Sequence, residues 1–246
     1  MSSTINVDTA TIETHGSPLI RRHPYRTIAQ LDPRVDRLVI VVPHPDDEAL
    51  ATGLLLAHAA ELGLQTVIIA VTDGDAAYPT VDGATLARVR RREQAAAVAA
   101  LGHTPLAVRR PGVRDGAVAR EIDRIAAGID SQLTPTTLLV APSIHDWHPD
   151  HQACGEAAGQ VAGTARRHWS SLFWAHHHPE ELLATSPHIV EFAAGDLAFQ
   201  RRARAVECHR SQFESPRNEP AAVLRPDLVS HLRIPVEWYV EEPIRR

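Results

Sequence analysis

Apolar runs rich in β-branched residues recur along the chain, each followed by a polar loop: Leu38–Val42 (LVIVV), Thr66–Val71 (TVIIAV) and Thr137–Ala141 (TLLVA). Continuous apolar runs of this length predict strands buried on both faces. Leu106–Arg109 and Ser171–Trp174 are weaker strand candidates. Between these runs the pattern predicts helices over Asp47–Leu62, Thr85–Leu101, Val118–Leu133, His151–His168 and Asp196–His209. Gly63 and Gly102 act as C-terminal stops for the first two. Residues 1–34 are polar and proline-punctuated. They read as an arm that packs on the domain without joining its sheet. Residues 35–246 read as a single domain whose proline-rich end is irregular with short strands.

Alternating strands and helices, with strands apolar throughout, predict an α/β fold: a mainly parallel sheet with helices on both faces, a three-layer αβα sandwich. Ligands of such sheets bind at the carboxyl ends of the strands, near the point where strand order reverses. In a 3-2-1-4-5 order the first and fourth strands are neighbours. The first is followed by His44-Pro45-Asp46-Asp47. The fourth is followed by His145 and by His148-Pro149-Asp150-His151. Topology therefore brings together two polar clusters about a hundred residues apart.

Composition narrows the chemistry. With 246 residues the chain can bury one sizeable core. A net charge of −5 gives no support for nucleic-acid binding. Two cysteines without a CxxC exclude a disulfide framework or a cysteine zinc site. No stretch is apolar enough to span a membrane. The first residues carry acids and no apolar signal core, so a cytoplasmic location is expected. The 15 histidines matter where they cluster, because imidazole is both a metal ligand and a general acid or base.

His44-x-x-Asp47 and His148-x-x-His151 share one spacing, and both lie where a strand gives way to a helix. Residues three apart at a helix entry face the same side. Imidazoles combined with a carboxylate suit zinc or another mid-row divalent metal; calcium and magnesium want more oxygen. The alternative is local: acids in a first helical turn are stabilised by the helix dipole, and Asp is a common cap. Two such clusters after two adjacent strands favour the metal. Spacing leaves open which of the four candidates ligate.

The order PHPDDE then HPDH resembles the PIG-L/LmbE family of zinc-dependent de-N-acetylases, over about Val39 to Gln212. VTDGD (Val71–Asp75) is similar to a family stretch, with Asp75 in place of the usual Glu. Arg90–Gly102 looks like its Arg-x-x-Glu helix, and Cys208–Gln212 (CHRSQ) resembles a late bacterial motif. The resemblance implies a Rossmann-like fold and an N-acetylated sugar or glycoside as substrate. It implies that His44, Asp47 and His151 bind zinc and that Asp46 is the general base. A protonated His148 would stabilise the oxyanion, with Asp150 holding its imidazole. That leaves Glu48 to the helix start, with a bond behind the metal ligands as a further expectation. Asp75 and Arg90 are expected near the substrate or the metal ligands. Trp147 is the candidate for stacking on a sugar, and His177, within His176–His178, for the pocket rim. Other expectations for the same sheet are hydrolysis of another acyl group or ester, or nucleotide or sugar binding without catalysis. The first strand–helix turn lacks G-x-G-x-x-G and offers acids where a phosphate would sit, which argues against a nucleotide.

Overall fold

Arg37–Val42 (β2) lies inside the sheet, and its residues alternate between two apolar cores. Leu38, Ile40 and Val42 belong to one, Val39 and Val41 to the other. Burying each such side chain is worth roughly 1.5–3 kcal/mol, so a strand apolar on both faces is held in the interior. The computed structural model describes residues 21–25, 27–103, 107–173, 188–216, 219–225 and 229–244. The other strands are β1 (Arg21–Tyr25), β3 (Gln65–Ala70), β4 (Ala107–Arg109), β5 (Thr137–Pro142), β6 (Arg167–Ser171), β7 (His188–Ala193) and β8 (Val236–Glu242). They form one eight-stranded sheet, ordered β1-β7-β8-β6-β5-β2-β3-β4. All pairings are parallel except those of β8, which is antiparallel to β6 and β7.

The helices are α1 (Ile28–Leu31), α2 (Asp47–Leu50), α3 (Gly53–Glu61), α4 (Gly83–Ala100), α5 (Ile122–Asp130), α6 (Pro149–Val161), α7 (Asp196–Cys208) and α8 (Arg210–Phe213). Residues of α3, α4 and α7 share one core with β2, and residues of α5 and α6 share the other. This is the expected three-layer sandwich. The stretch β4-β3-β2-β5-β6 has the 3-2-1-4-5 order, with Ile40 opposite Val140. Among the described residues no helix is long and apolar enough to cross a membrane.

Several local expectations need correction. Residues 21–25 do join the sheet, as an edge strand on β7. Neither β7 nor the seven-residue β8 stood out in the sequence, because β8 (VEWYVEE) mixes acids with its apolar residues. The helix expected over Asp47–Leu62 is broken at Ala51-Thr52. Its second part is capped from the sheet: Glu237 on β8 accepts the backbone N–H groups of Leu54 (2.7 Å) and Leu55 (3.0 Å), which a continuous helix would have satisfied internally. Val118–Leu133 splits into a 3₁₀ turn and α5. The helix expected to reach His168 stops at Val161, and the next strand is Arg167–Ser171 rather than Ser171–Trp174. That strand begins with Arg and His and so carries no apolar signal, yet His168 and Trp169 are buried.

Candidate metal centre and active site

Because β2 and β5 are parallel neighbours, the loops that follow them leave the same edge of the sheet. Asp47 opens α2 after the first loop, and His151 sits in the first turn of α6 after the second. Asp47 Oδ2 lies 3.5 Å from His44 Nδ1 and 3.5 Å from His151 Nε2. It also accepts the His44 backbone N–H at 2.9 Å. Ring nitrogens of His44, His148 and His151 lie within 4.8 Å of one another.

The outward ring nitrogens face carboxylates. His44 Nε2 is 3.2 Å from Asp115 Oδ1 and 3.3 Å from Asp150 Oδ2. His151 Nδ1 is 3.3 Å from Asp146 Oδ2. A metal-binding imidazole characteristically donates its other N–H to a carboxylate or carbonyl, which fixes its tautomer and makes it a better ligand. Ligands at about 2.0–2.1 Å from a tetrahedral ion stand roughly 3.4 Å apart, close to the two contacts of Asp47. The donor set therefore fits a mid-row divalent metal. In the protein alone these carboxylates and imidazoles charge one another. Burial opposes ionisation of Asp47, but His151 and His44 hold its carboxyl far below the usual range. Burial likewise works against protonated His44 and His151. Asp115, Asp150 and Asp47 overcome it at His44, and Asp47 and Asp146 at His151, so both imidazoles are raised.

Asp46 is placed differently. It is buried, with φ 145° and ψ −29°, and is the one non-glycine residue with positive φ among those described. Such strain costs on the order of 1–3 kcal/mol and persists where the surroundings over-determine it. Buried Arg90 supplies much of that restraint. Its guanidinium donates to Pro45 O (2.8 Å), Gly74 O (3.2 Å) and Asp46 Oδ2 (3.3 Å). Burial raises the Asp46 carboxyl to about 6; Arg90 opposes the rise and Asp47 adds to it. A carboxylate poised there suits proton transfer near neutral pH.

His148 departs from the expected arrangement. It is the N-cap of α6, and its Nδ1 accepts the backbone N–H of Asp150 at 3.2 Å. The Asp150 carboxylate turns instead to Gly116 N (2.8 Å) and His44. An accepting Nδ1 carries no proton, so His148 is the neutral tautomer with Nε2–H free to donate. Burial, His44 and His151 all lower its pKa, outweighing Asp150 and Asp47.

A cavity of ≈ 280 Å³ opens over this centre. His44, Asp46, Asp47, Arg90, Asp115, His148 and His151 line its polar side; Leu50, Phe173, Val223 and Leu224 line the apolar one. Asp75 is not among the lining residues. Its Oδ1 accepts the Asp115 backbone N–H at 3.2 Å, which places it behind a partner of His44. Trp147 is 55% exposed and also outside the lining, and His145 is exposed. Trp174 and His176–His178, including His177, lie outside the described residues.

The sequence reading missed Asp115, Asp146 and the burial of Glu48. Asp146 stood within HDWHPD and could have been found as a carboxylate beside the motif. Asp115 comes from the loop after β4, and its approach to His44 is decided by the fold. Glu48 is fully buried and bonds His209, Gln94 and the Asp46 amide rather than merely starting a helix.

A Bacillus anthracis protein named "Probable N-acetyl-alpha-D-glucosaminyl L-malate deacetylase 2" is 26% identical over 220 residues, covering 84% of this chain and 92% of that one. The solved N,N'-diacetylchitobiose deacetylase of Pyrococcus horikoshii shares the fold at TM-score 0.53 and 17% identity, over 85% of this chain and 84% of that one. A 4-carboxy-2-hydroxymuconate hydratase from Pseudomonas putida shares it at TM-score 0.61 and 16% identity, over 86% and 98%. The fold alone thus accommodates more than one reaction, and the site must distinguish them. The family model for PIG-L, described as GlcNAc-PI de-N-acetylase, matches residues 39–162, which hold both motifs and span half of the chain. The chain belongs to the PIG-L family.

Proposed function

We propose that this protein hydrolyses the N-acetyl group of an amino sugar or glycoside, using a divalent metal, in the first place zinc, held by His44, Asp47 and His151. The observation that carries the reading is the meeting of the two motifs. Asp47 Oδ2 stands 3.5 Å from a nitrogen of each histidine, while their other nitrogens rest on carboxylates. Family membership and a relative named as an N-acetylglucosaminyl malate deacetylase support the bond and the substrate class. The ≈ 280 Å³ cavity is at the small end of small-molecule sites, which favours a short acyl group.

Bound zinc would polarise the amide carbonyl and lower the pKa of water to about 7. Asp46 takes a proton from the water as its oxygen attacks the carbonyl carbon. The Nε2–H of neutral His148 donates to the oxyanion that forms. Asp46 then returns its proton to the nitrogen as the C–N bond breaks, leaving acetate and a free amine. Asp115, Asp150 and Asp146 keep His44 and His151 in orientation, and Arg90 holds the loop that carries Asp46. We take the catalytic unit to begin at β1, since that strand is part of the sheet. A cytoplasmic setting belongs to the proposal, in keeping with two free cysteines, Cys154 and Cys208.

The test is acetate release from a panel of N-acetylglucosaminides, with metal analysis, for wild type and Asp46→Asn. Both should hold near-stoichiometric zinc, and the variant should lose at least about 10²-fold in turnover. Wild type that binds no metal, and gains no activity when metal is resupplied, would overturn the reading.

A further inference from the structure

A buried polar group below the cavity is not used by the reaction as written. Glu48 is 0% exposed, yet its carboxylate is fully engaged. Oε1 meets His209 Nε2 at 2.7 Å. Oε2 accepts from Gln94 Nε2 at 2.9 Å and from the backbone N–H of Asp46 at 3.2 Å. His209 is 1% exposed and comes from the end of α7, 161 positions along the chain.

Two features set this pair apart from an ordinary internal ion pair. The group it bonds is the amide of the one strained non-glycine residue described, Asp46 at φ 145°. Desolvating two charged groups is also expensive, and a well-packed apolar pair in the same place is often as stable or more so. Stability is therefore a poor reason for the pair, whereas fixing the direction of one peptide is something apolar side chains cannot do.

We infer that the Glu48–His209 pair is a positioning device for the base: Glu48 holds the Asp46 peptide in its strained conformation, and His209 holds the Glu48 carboxylate in place. Neither residue touches the reacting atoms. The inference rests on Asp46 acting as the base. It assigns the late CHRSQ segment, whose Gln212 lines the cavity, a task in catalysis through His209, which does not line it.

His209→Gln keeps a hydrogen-bond donor for Glu48, and His209→Ala removes it. Glu48→Gln puts an amide in place of the carboxylate that accepts the Asp46 N–H.

The experiment uses zinc-loaded, ¹⁵N-labelled protein in which the backbone amide of Asp46 is assigned by NMR and its hydrogen exchange is followed. Zinc content and melting temperature are recorded alongside. Zinc content should stay near wild type in all variants. The Asp46 amide should exchange at least about tenfold faster in His209→Ala and Glu48→Gln, and His209→Gln should recover part of the protection. Where wild type releases acetate from an N-acetylglucosaminide, His209→Ala and Glu48→Gln should lose at least about tenfold in kcat with little change in KM, and His209→Gln should recover part of it. Unchanged exchange of the Asp46 amide in both His209→Ala and Glu48→Gln, in folded protein with full zinc, overturns the inference. So does wild-type kcat in Glu48→Gln. Wild type without acetate release overturns the proposed activity instead, and the amide exchange still decides what holds Asp46.

Discussion

Asp46 and His148 show how single residues are tuned by what surrounds them. Asp46 owes its raised pKa of about 6 first to burial, and Arg90 limits the rise. His148 owes its neutral state to a backbone N–H on Nδ1, to burial and to two neighbouring imidazoles. Together they shape the pH dependence. In the proposed mechanism Asp46 must be ionised to act, so kcat/KM should rise with pH along an acid limb at or below about 6, since the metal proposed beside it would shift it further down. In the same mechanism His148 donates as the neutral tautomer, so no loss of activity should follow from its titration as pH rises above 7. A pH–rate profile with an alkaline limb that disappears in His148→Gln would show an imidazolium donor and contradict this. His148→Ala should cost about 10²–10³ in kcat with zinc retained.

The elements matter through how closely they approach. α6 carries Asp150 and His151, and it lies against the end of β5 because Gly155 has no side chain. A Cβ at Gly155 would stand 2.5 Å from Pro142 O and 3.0 Å from Ile144 N, both backbone atoms. Gly155→Ala must therefore push α6 away from the strand that aligns it. A loss of about 1–3 kcal/mol is expected, together with weaker zinc binding, because His151 would move with the helix. Melting and zinc titration check this; unchanged zinc affinity would show that α6 does not set the position of His151. The break between α2 and α3 has a similar role. It frees α2 to orient Asp47 and Glu48 inward, while Glu237 on β8 satisfies the N–H groups exposed at the start of α3.

For the whole molecule, the site is a concentration of opposite charges whose balance shifts with pH. His44 and His151 have folded pKa values above the ordinary 6.5, as does His209 beside Glu48. Their contribution to stability is full below about 6.5 and is lost as pH rises through their folded values. Asp47 and Asp115 are depressed, Asp115 to about 2 despite its burial, through its bond to His44. Their contribution is full above 3.8 and falls away only in strong acid. Chelator-stripped protein should therefore melt at progressively lower temperature as pH rises from about 7 to 9, as the histidines lose the protons that offset the acids. Zinc should remove most of that slope, since it binds the folded state and replaces those protons. Equal slopes with and without zinc would count against a metal at these residues.

Much of this was legible along the chain. Continuous β-branched runs specified β2, β3 and β5, because a strand buried on both faces has no room for polar residues. Their alternation with helices specified the layers and the strand order, and the motifs HPDD and HPDH followed from their places at strand ends. The edge of the sheet was not legible: β1, β7 and β8 carry polar residues and earn their places by pairing with partners distant in sequence. The same holds for the outer partners of the site. Asp146 lies beside its motif, but Asp115, Glu48 and His209 are ordinary polar residues in sequence, and only the folded chain decides which of them meet the site and each other. Local pattern determines which residues must be buried, and so the sheet and its main loops. Hydrogen bonds between residues far apart in the chain have no local pattern, so their pairing is settled only in three dimensions.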